Sequence, residues 1–247
     1  MSQEENFVSH LVELRDRLLR AAAGFAVAFI ILMIYPGAAA IFDFLALPIQ
    51  SALPEGTKMI ATGVITPFMV PIKLTGMVAF VVALPVILYQ VWAFVAPGLY
   101  QHEKKMALPI IVSSTLLFLG GVAFCHFIVF GKVFAFINEF APSSITPAPD
   151  IEAYMSFVLT MFMAFGVTFE VPIVVVVLVY MGVVTVEKLV DIRGYVIVAA
   201  FVIAAIVTPP DVMSQLFLAI PICVLYEAGI IAARLVGKKR QDIIEPN

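Results

Sequence analysis

The chain predicts an all-α integral membrane protein of six spans, and three features of its sequence predict it. It is 63% hydrophobic and 13% charged, with a mean hydropathy of +1.10, whereas a soluble domain averages roughly 45–50% apolar and about 25% charged. Its apolar residues gather in six runs parted by short breaks of proline, glycine and charge. Its cations fall unevenly among those breaks, which the net charge of −3 does not convey.

Several function classes drop out at once. There is no basic face for nucleic acid. Cys125 and Cys223 lie inside apolar runs and read as small buried hydrophobes rather than a disulfide or a metal site. His10, His102 and His126 form no ligand spacing, so no metal and no cofactor is expected. The N-terminus begins acidic, and no small-residue cleavage site closes the first apolar run, so no cleavable signal is read there.

The elements follow in order. In residues 1–17, Ser2-Gln3-Glu4-Glu5 has capping-box spacing, and Phe7, Val8, Leu11, Leu14 and Leu18 recur at helical spacing. A short cytoplasmic amphipathic helix lying on the membrane is predicted there, with Arg15, Arg17 and Arg20 at its membrane-proximal end. A single membrane domain spans 18–235. Its first span covers about 18–35 and ends at Pro36-Gly37. An outer loop at 36–71 is broken by Pro48, Pro54, Pro67 and Pro71, with a short interfacial helix between Ile41 and Leu47. Spans two to four are placed at about 72–95, 106–130 and 154–181. The loop between the last two, about 131–153, carries the Pro/Ser stretch 141–150, and the third span can extend toward Phe140. Val183 to Arg193 is a short charged connection. Spans five and six, about 194–208 and 213–235, flank the turn 209–212, and a basic cytoplasmic tail closes the chain at 236–247.

Six spans put both termini on one side, and the positive-inside rule chooses it. Of the 14 cationic residues, Lys58, Lys73 and Lys132 alone fall away from the terminal side. Both termini are therefore predicted to be cytoplasmic. Span five has only about fifteen residues, or ~22 Å at 1.5 Å each, against a hydrocarbon core of ~30 Å. The expectation is a short hairpin of spans five and six that thins the bilayer locally.

Candidate functional positions are acids in awkward places. The stretch from Trp92 to Lys105 is the compact charged break of the first half. Pro97-Gly98 is a turn signal, Trp92 and Tyr100 flank it as interfacial aromatics do, and Glu103 stands beside Lys104 and Lys105. Glu13 and Glu103 form a cytoplasmic pair. Each has a local cation, Arg17 at i+4 for Glu13, but exposed pairs of that kind are worth only ~0–1 kcal/mol. A guanidinium fork matches a carboxylate and keeps its charge, so two such acids suit a peptide with two adjacent arginines. Glu170 lies near the middle of span four, where an ionised side chain costs at least ~2.5–3.5 kcal/mol. Pro172 frees the Thr168 carbonyl beside it. That site reads either as a polar notch or as a protonated acid bonded to a neighbouring helix. Asp211 and Gln215 share a face at the start of span six, and Asp211 either caps that helix or meets a partner. Glu227 reaches the inner interface. No hydrolase constellation is present, so the chain is not read as an enzyme.

These residues resemble a family. His10-Leu11-Val12-Glu13-Leu14-Arg15-Asp16-Arg17-Leu18 resembles the amino-terminal signature of the TatC proteins, the receptor subunit of the twin-arginine translocase. Trp92-Ala93-Phe94 through Pro97-Gly98-Leu99-Tyr100 and His102-Glu103 resembles their first cytoplasmic loop. Phe165-Gly166 with Phe169-Glu170-Val171-Pro172 resembles their fourth span, and Thr208-Pro209-Pro210-Asp211 with Gln215, Pro221 and Leu225-Tyr226-Glu227 their last hairpin. Thr66-Pro67-Phe68 is also similar, although the family often carries Ser before that proline.

The resemblance implies a cup-shaped arrangement of the six helices in a bacterial cytoplasmic (inner) membrane. It implies a signal-peptide receptor, with Glu13 and Glu103 taking the arginine pair of a folded cargo's signal peptide and Phe94 and Arg17 beside them. It implies Glu170, Gln215, Asp211 and Pro48 as further functional positions. Implied partners are the single-span subunits TatA and TatB and further copies of the chain within the complex, with drive from the proton-motive force. The alternative, from another class, is an ion-coupled small-molecule transporter using Glu170 and Asp211. No internal repeat of the kind such transporters carry is visible.

Overall fold

The structure is a computed structural model that describes residues 3–51, 58–95, 107–140, 148–208 and 211–244. The chain is all-helical in these residues, apart from one isolated parallel bridge between Ile60 and Asp150. The helices are α1 (Gln3–Ile34), α2 (Ala38–Gln50), α3 (Thr66–Val95), α4 (Ala107–Phe124), α5 (Phe130–Phe140), α6 (Ile151–Tyr180), α7 (Val186–Asp191), α8 (Arg193–Val207) and α9 (Val212–Ile244), with one π-helical turn, Cys125–Val129, joining α4 to α5. Among the described residues five stretches are long and apolar enough to cross a membrane: Ser9–Ile34, Thr66–Val91, Leu108–Phe140, Ile151–Tyr180 and Val212–Leu235. Helices α2 and α8 are shorter apolar helices. The all-α membrane class therefore stands, and α8, at 15 residues, is as short as its sequence predicts.

Four boundaries differ from the sequence reading. Helix α3 starts at Thr66 rather than 72, because Pro67 falls in a first turn whose N–H groups need no helical partner. The third span takes the longer of its two expected ends, since α5 carries the helix to Phe140, and 131–153 is therefore not all loop. There Phe130, Val133 and Phe134 keep facing inward at helical spacing, which the polar Lys132 and Glu139 conceal. The connection 183–193 contains α7, capped by the Thr185 hydroxyl, which accepts from the Lys188 N–H at 3.3 Å. The last helix is not short: its apolar stretch is 24 residues, and helix continues to Ile244 through the tail read as 236–247. Helix α1, in turn, carries the 1–17 segment and span one without interruption from Gln3.

The chain divides into two compact units. The first comprises Met1–Phe44 and Gly63–Leu116. Here α1 and α3 pack antiparallel along a seam of small residues: Ala28, Ala79 and Ala83 are buried together under Phe25, Phe29, Leu32 and Ile87. Between helices in lipid, small side chains bring backbones close enough for dispersion to hold them.

The second unit comprises Leu45–Thr62 and Leu117–Asn247. Its core is aromatic, with Phe130 stacked in tilted fashion on Phe134, Phe157 and Phe162. Helices α4 and α6 cross at two glycines. A Cβ on Gly121 would stand 2.5 Å from the Phe165 carbonyl oxygen, and one on Gly166 would stand 2.4 Å from the Phe118 ring. At the start of α6 the chain is clipped to the 45–62 segment. The Ile60 N–H donates to the Pro149 carbonyl at 3.0 Å and the Ile151 N–H to the Ile60 carbonyl at 2.9 Å. The buried Tyr154 hydroxyl donates to the Leu45 carbonyl at 3.0 Å. At the far end of α6, Gly182 takes a left-handed φ of +72°, and the Tyr226 hydroxyl of α9 donates to the Leu189 carbonyl of α7 at 2.8 Å.

Candidate functional site: an acid–guanidinium clasp and a polar hairpin

Helical spacing puts His10, Glu13 and Arg17 on one face of α1. Glu13 Oε1 accepts from both Arg17 Nε, at 2.9 Å, and Arg17 Nη2, at 2.5 Å. Glu13 Oε2 is left with a longer approach from His10 Nδ1, 3.8 Å. The Glu13 side chain is 34% exposed, so its carboxylate is held in place yet reachable from water. Facing it across the seam, the Phe94 ring stacks on His10 with centroids 4.5 Å apart and planes 21° apart. The structure therefore brings Phe94 to the turn of α1 that carries Glu13. The contact through His10 was not foreseen: its sequence signal is a histidine three residues before the acid, without ligand spacing. Arg15 pairs with its neighbour Asp16 at 2.8 Å instead. Glu103 lies outside the described residues, as does the Trp92 side chain.

Asp211 and Gln215 lie at the hairpin of α8 and α9. Asp211 caps α9: its Oδ1 accepts from the Ser214 N–H at 2.7 Å. Gln215 Nε2 donates to the Phe201 carbonyl at 3.2 Å, which ties the start of α9 to α8. The buried Thr208 hydroxyl donates back to the Ala204 carbonyl at 2.8 Å. Glu227, further along α9, pairs with Arg193 at 2.6 Å, across from the start of α8. Glu170 is half-buried on α6 and is not without a partner. An apolar groove of about 660 Å³ runs over the same helix, lined by residues that include Met163, Val167, Thr168 and Val171 of α6, Ile203 of α8 and Leu218 of α9. Pro48 sits inside α2, where its carbonyl accepts from the Ser51 hydroxyl at 3.0 Å.

Outside the spans, the Asp150 carboxyl is held below the usual aspartate range. The Thr62 hydroxyl is the largest cause, followed by the Ala153 N–H, with the N–H groups of Thr62 and Glu152 adding to them and desolvation opposing. Among the described residues no three His, Cys, Asp or Glu side chains gather as a metal site. Both cysteines are free thiols. What the first helix pair offers chemically is an anchored, partly exposed carboxylate one helical turn from the aromatic stack of His10 and Phe94.

The described residues define an all-helical, multi-pass membrane protein. Residues 9–221 match the family model of the Sec-independent protein translocase protein TatC. The Haemophilus influenzae TatC protein is 48% identical over 242 residues, covering 98% of this chain and 94% of that one. The Escherichia coli (strain K12) TatC protein is 47% identical over 243 residues, covering 97% and 93%. A crystal structure of the twin-arginine translocase receptor TatC is 41% identical and superposes with a TM-score of 0.79, covering 92% of this chain and 98% of that one. The chain belongs to the TatC family of protein translocase components. That family carries protein-transport subunits rather than enzymes or small-molecule carriers, so the transporter alternative is set aside.

Proposed function

We propose that the chain is the signal-peptide receptor and core subunit of a twin-arginine translocase in the bacterial cytoplasmic membrane. Glu13 and Glu103 take the two guanidinium groups of the signal peptide's arginine pair. Phe94 walls the site and Arg17 holds Glu13 in place. All six apolar runs span the bilayer, α8 as the short one, and both termini face the cytoplasm. Glu170 and the α8–α9 hairpin, with Asp211, Gln215 and Pro48 as further positions, serve the single-span partners TatA and TatB and neighbouring copies of the chain. Transport of folded cargo draws on the proton-motive force.

One observation carries this reading. The Glu13 carboxylate is pre-oriented by a guanidinium in cis, one helical turn from the stack of His10 on Phe94, yet remains a third exposed. A site that already accommodates one guanidinium has the shape for another. The test is site-specific photocrosslinking from positions 94 and 103 to a cargo carrying an intact arginine pair. Strong adducts are expected with the arginine pair. Replacing the pair by lysines, or Glu13 or Glu103 by Ala, should cut them by at least about tenfold, since lysine lacks the bidentate fork. Equal adducts from the lysine cargo would refute the receptor role.

A further inference from the structure

One polar group on the α1–α3 seam has no bond in the arrangement described so far. Gln90 is only 9% exposed, and its Oε1 is buried without a hydrogen-bond partner among the described residues. A buried amide oxygen without a donor is costly, so its presence points to a donor that arrives in another state. Helical register points to a candidate donor. Gln90 lies four residues after Val86 and four before Phe94, on one face of α3. Phe94 meets His10, and Val86 lies against Gly24. Because the helices are antiparallel, the midpoint between Val86 and Phe94 opposes the midpoint between Gly24 and His10. That midpoint is Arg17, whose side chain is only 20% exposed.

We propose that Gln90 is a positioning residue that works through Arg17. When an arriving guanidinium takes the Glu13 carboxylate, Arg17 moves its N–H donors from Glu13 to Gln90 Oε1. The inference rests on the reading of Glu13 as a guanidinium receptor. In the resting chain Arg17 occupies that acid, so a ligand competes with a tethered group of the same chemistry at high effective concentration. The displaced Arg17 cannot shed its charge, and on the buried side of the seam it needs an acceptor. A neutral amide suits the exchange. It is weaker than a carboxylate, so Arg17 returns to Glu13 when the ligand leaves. Three partnerships change and none is left over: Arg17–Glu13 breaks, ligand–Glu13 forms, and Arg17–Gln90 forms.

The experiment titrates the full-length protein, in lipid nanodiscs, with a fluorescent signal peptide bearing an arginine pair. Gln90→Leu is expected to weaken binding about tenfold, the contribution of one charge-assisted hydrogen bond. Gln90→Glu, nearly the same shape, is expected to draw Arg17 off Glu13 in the resting state and tighten binding. In an Arg17→Gln background, Gln90→Leu is expected to change nothing further, the signature of two residues acting as one unit. Gln90→Met takes the place of the leucine variant should that one fail to fold, as judged by its melting temperature. The proposal is overturned if Gln90→Leu binds as wild type does, if its cost is the same with and without Arg17, or if Gln90→Glu weakens binding as leucine does. Failure of the receptor reading itself looks different: wild type and Glu13→Ala would then bind the peptide alike, whatever stands at position 90.

Discussion

At Asp150 a single carboxylate joins two stretches of chain 88 residues apart. Its Oδ1 accepts from the N–H groups of Glu152 and Ala153, at 3.0 and 3.1 Å, and so caps α6. Its Oδ2 accepts from the Thr62 hydroxyl at 2.7 Å and the Thr62 N–H at 3.1 Å. These donors favour the ionised form, the Thr62 hydroxyl foremost, and depress the pKa. A depressed carboxyl pKa contributes stability that is complete above the unfolded value, about 3.9, and is lost as pH falls through the folded value. Exchange protection of the Ile60 and Ile151 amides should therefore hold from pH 7 to about 5 and decline in more acid solution. Asp150→Asn should weaken protection at neutral pH and flatten that dependence, and Thr62→Val should shrink the decline and end it at higher pH. Protection in wild type that does not change between neutral and acid pH would contradict the account. The clip was not legible in sequence, where 141–150 reads as a polar loop, because Thr62 is distant in the chain. Asp211 was half legible: its spacing allows a cap, and the cap is what forms, since donor and acceptor there are three residues apart.

Among the elements, the reading succeeded where local period decides and erred where proline or charge was taken as an ending. Pro85, Pro172 and Pro221 lie inside α3, α6 and α9, as membrane helices allow when neighbours satisfy the freed carbonyls. Pro67 opens a helix instead of interrupting a loop. The crossing of α4 and α6 is a tertiary fact that no single run of sequence displays, although Gly121 and Gly166 are its necessary condition. It yields a graded prediction. Gly121→Ala directs a methyl at a carbonyl oxygen of the α6 backbone, which cannot rotate away, whereas Gly166→Ala directs one at the Phe118 ring. Overpacking typically costs about 1–3 kcal/mol, against a helix-propensity gain near 0.8–1.0 kcal/mol for replacing glycine by alanine. Unfolding in detergent should show Gly121→Ala destabilised by up to about 2 kcal/mol net, and Gly166→Ala by less. Phe118→Leu should restore Gly166→Ala and leave Gly121→Ala unchanged. Equal costs, or rescue of both, would mean that the crossing is not held by these two contacts.

For the molecule as a whole, hydropathy made the membrane class legible because burial in lipid constrains every span in the same way, residue by residue. The side on which each connection lies is a separate matter, carried by charge. The six-span reading puts Lys58 and Lys132 on the sparsely cationic side, and Lys188, Arg193 and Arg234 on the rich one. The assignment depends on α8 counting as a span. At 15 residues it reaches ~22 Å of a core of ~30 Å. If α8 crosses, residues 188 and 234 share the cytoplasm. If it merely dips and returns, Lys188 and Arg234 lie on opposite faces. Single cysteines at 58, 132, 188 and 234, in a chain with Cys125 and Cys223 replaced by Ala, separate the two cases. A membrane-impermeant maleimide added to intact cells whose outer membrane has been opened should label 58 and 132 alone. Positions 188 and 234 should label only after the inner membrane is permeabilised. Labelling of 234 in intact cells, with 188 protected, would make α8 a re-entrant helix, place the C-terminus outside, and separate it from the acids of α1 that the receptor reading puts in the cytoplasm.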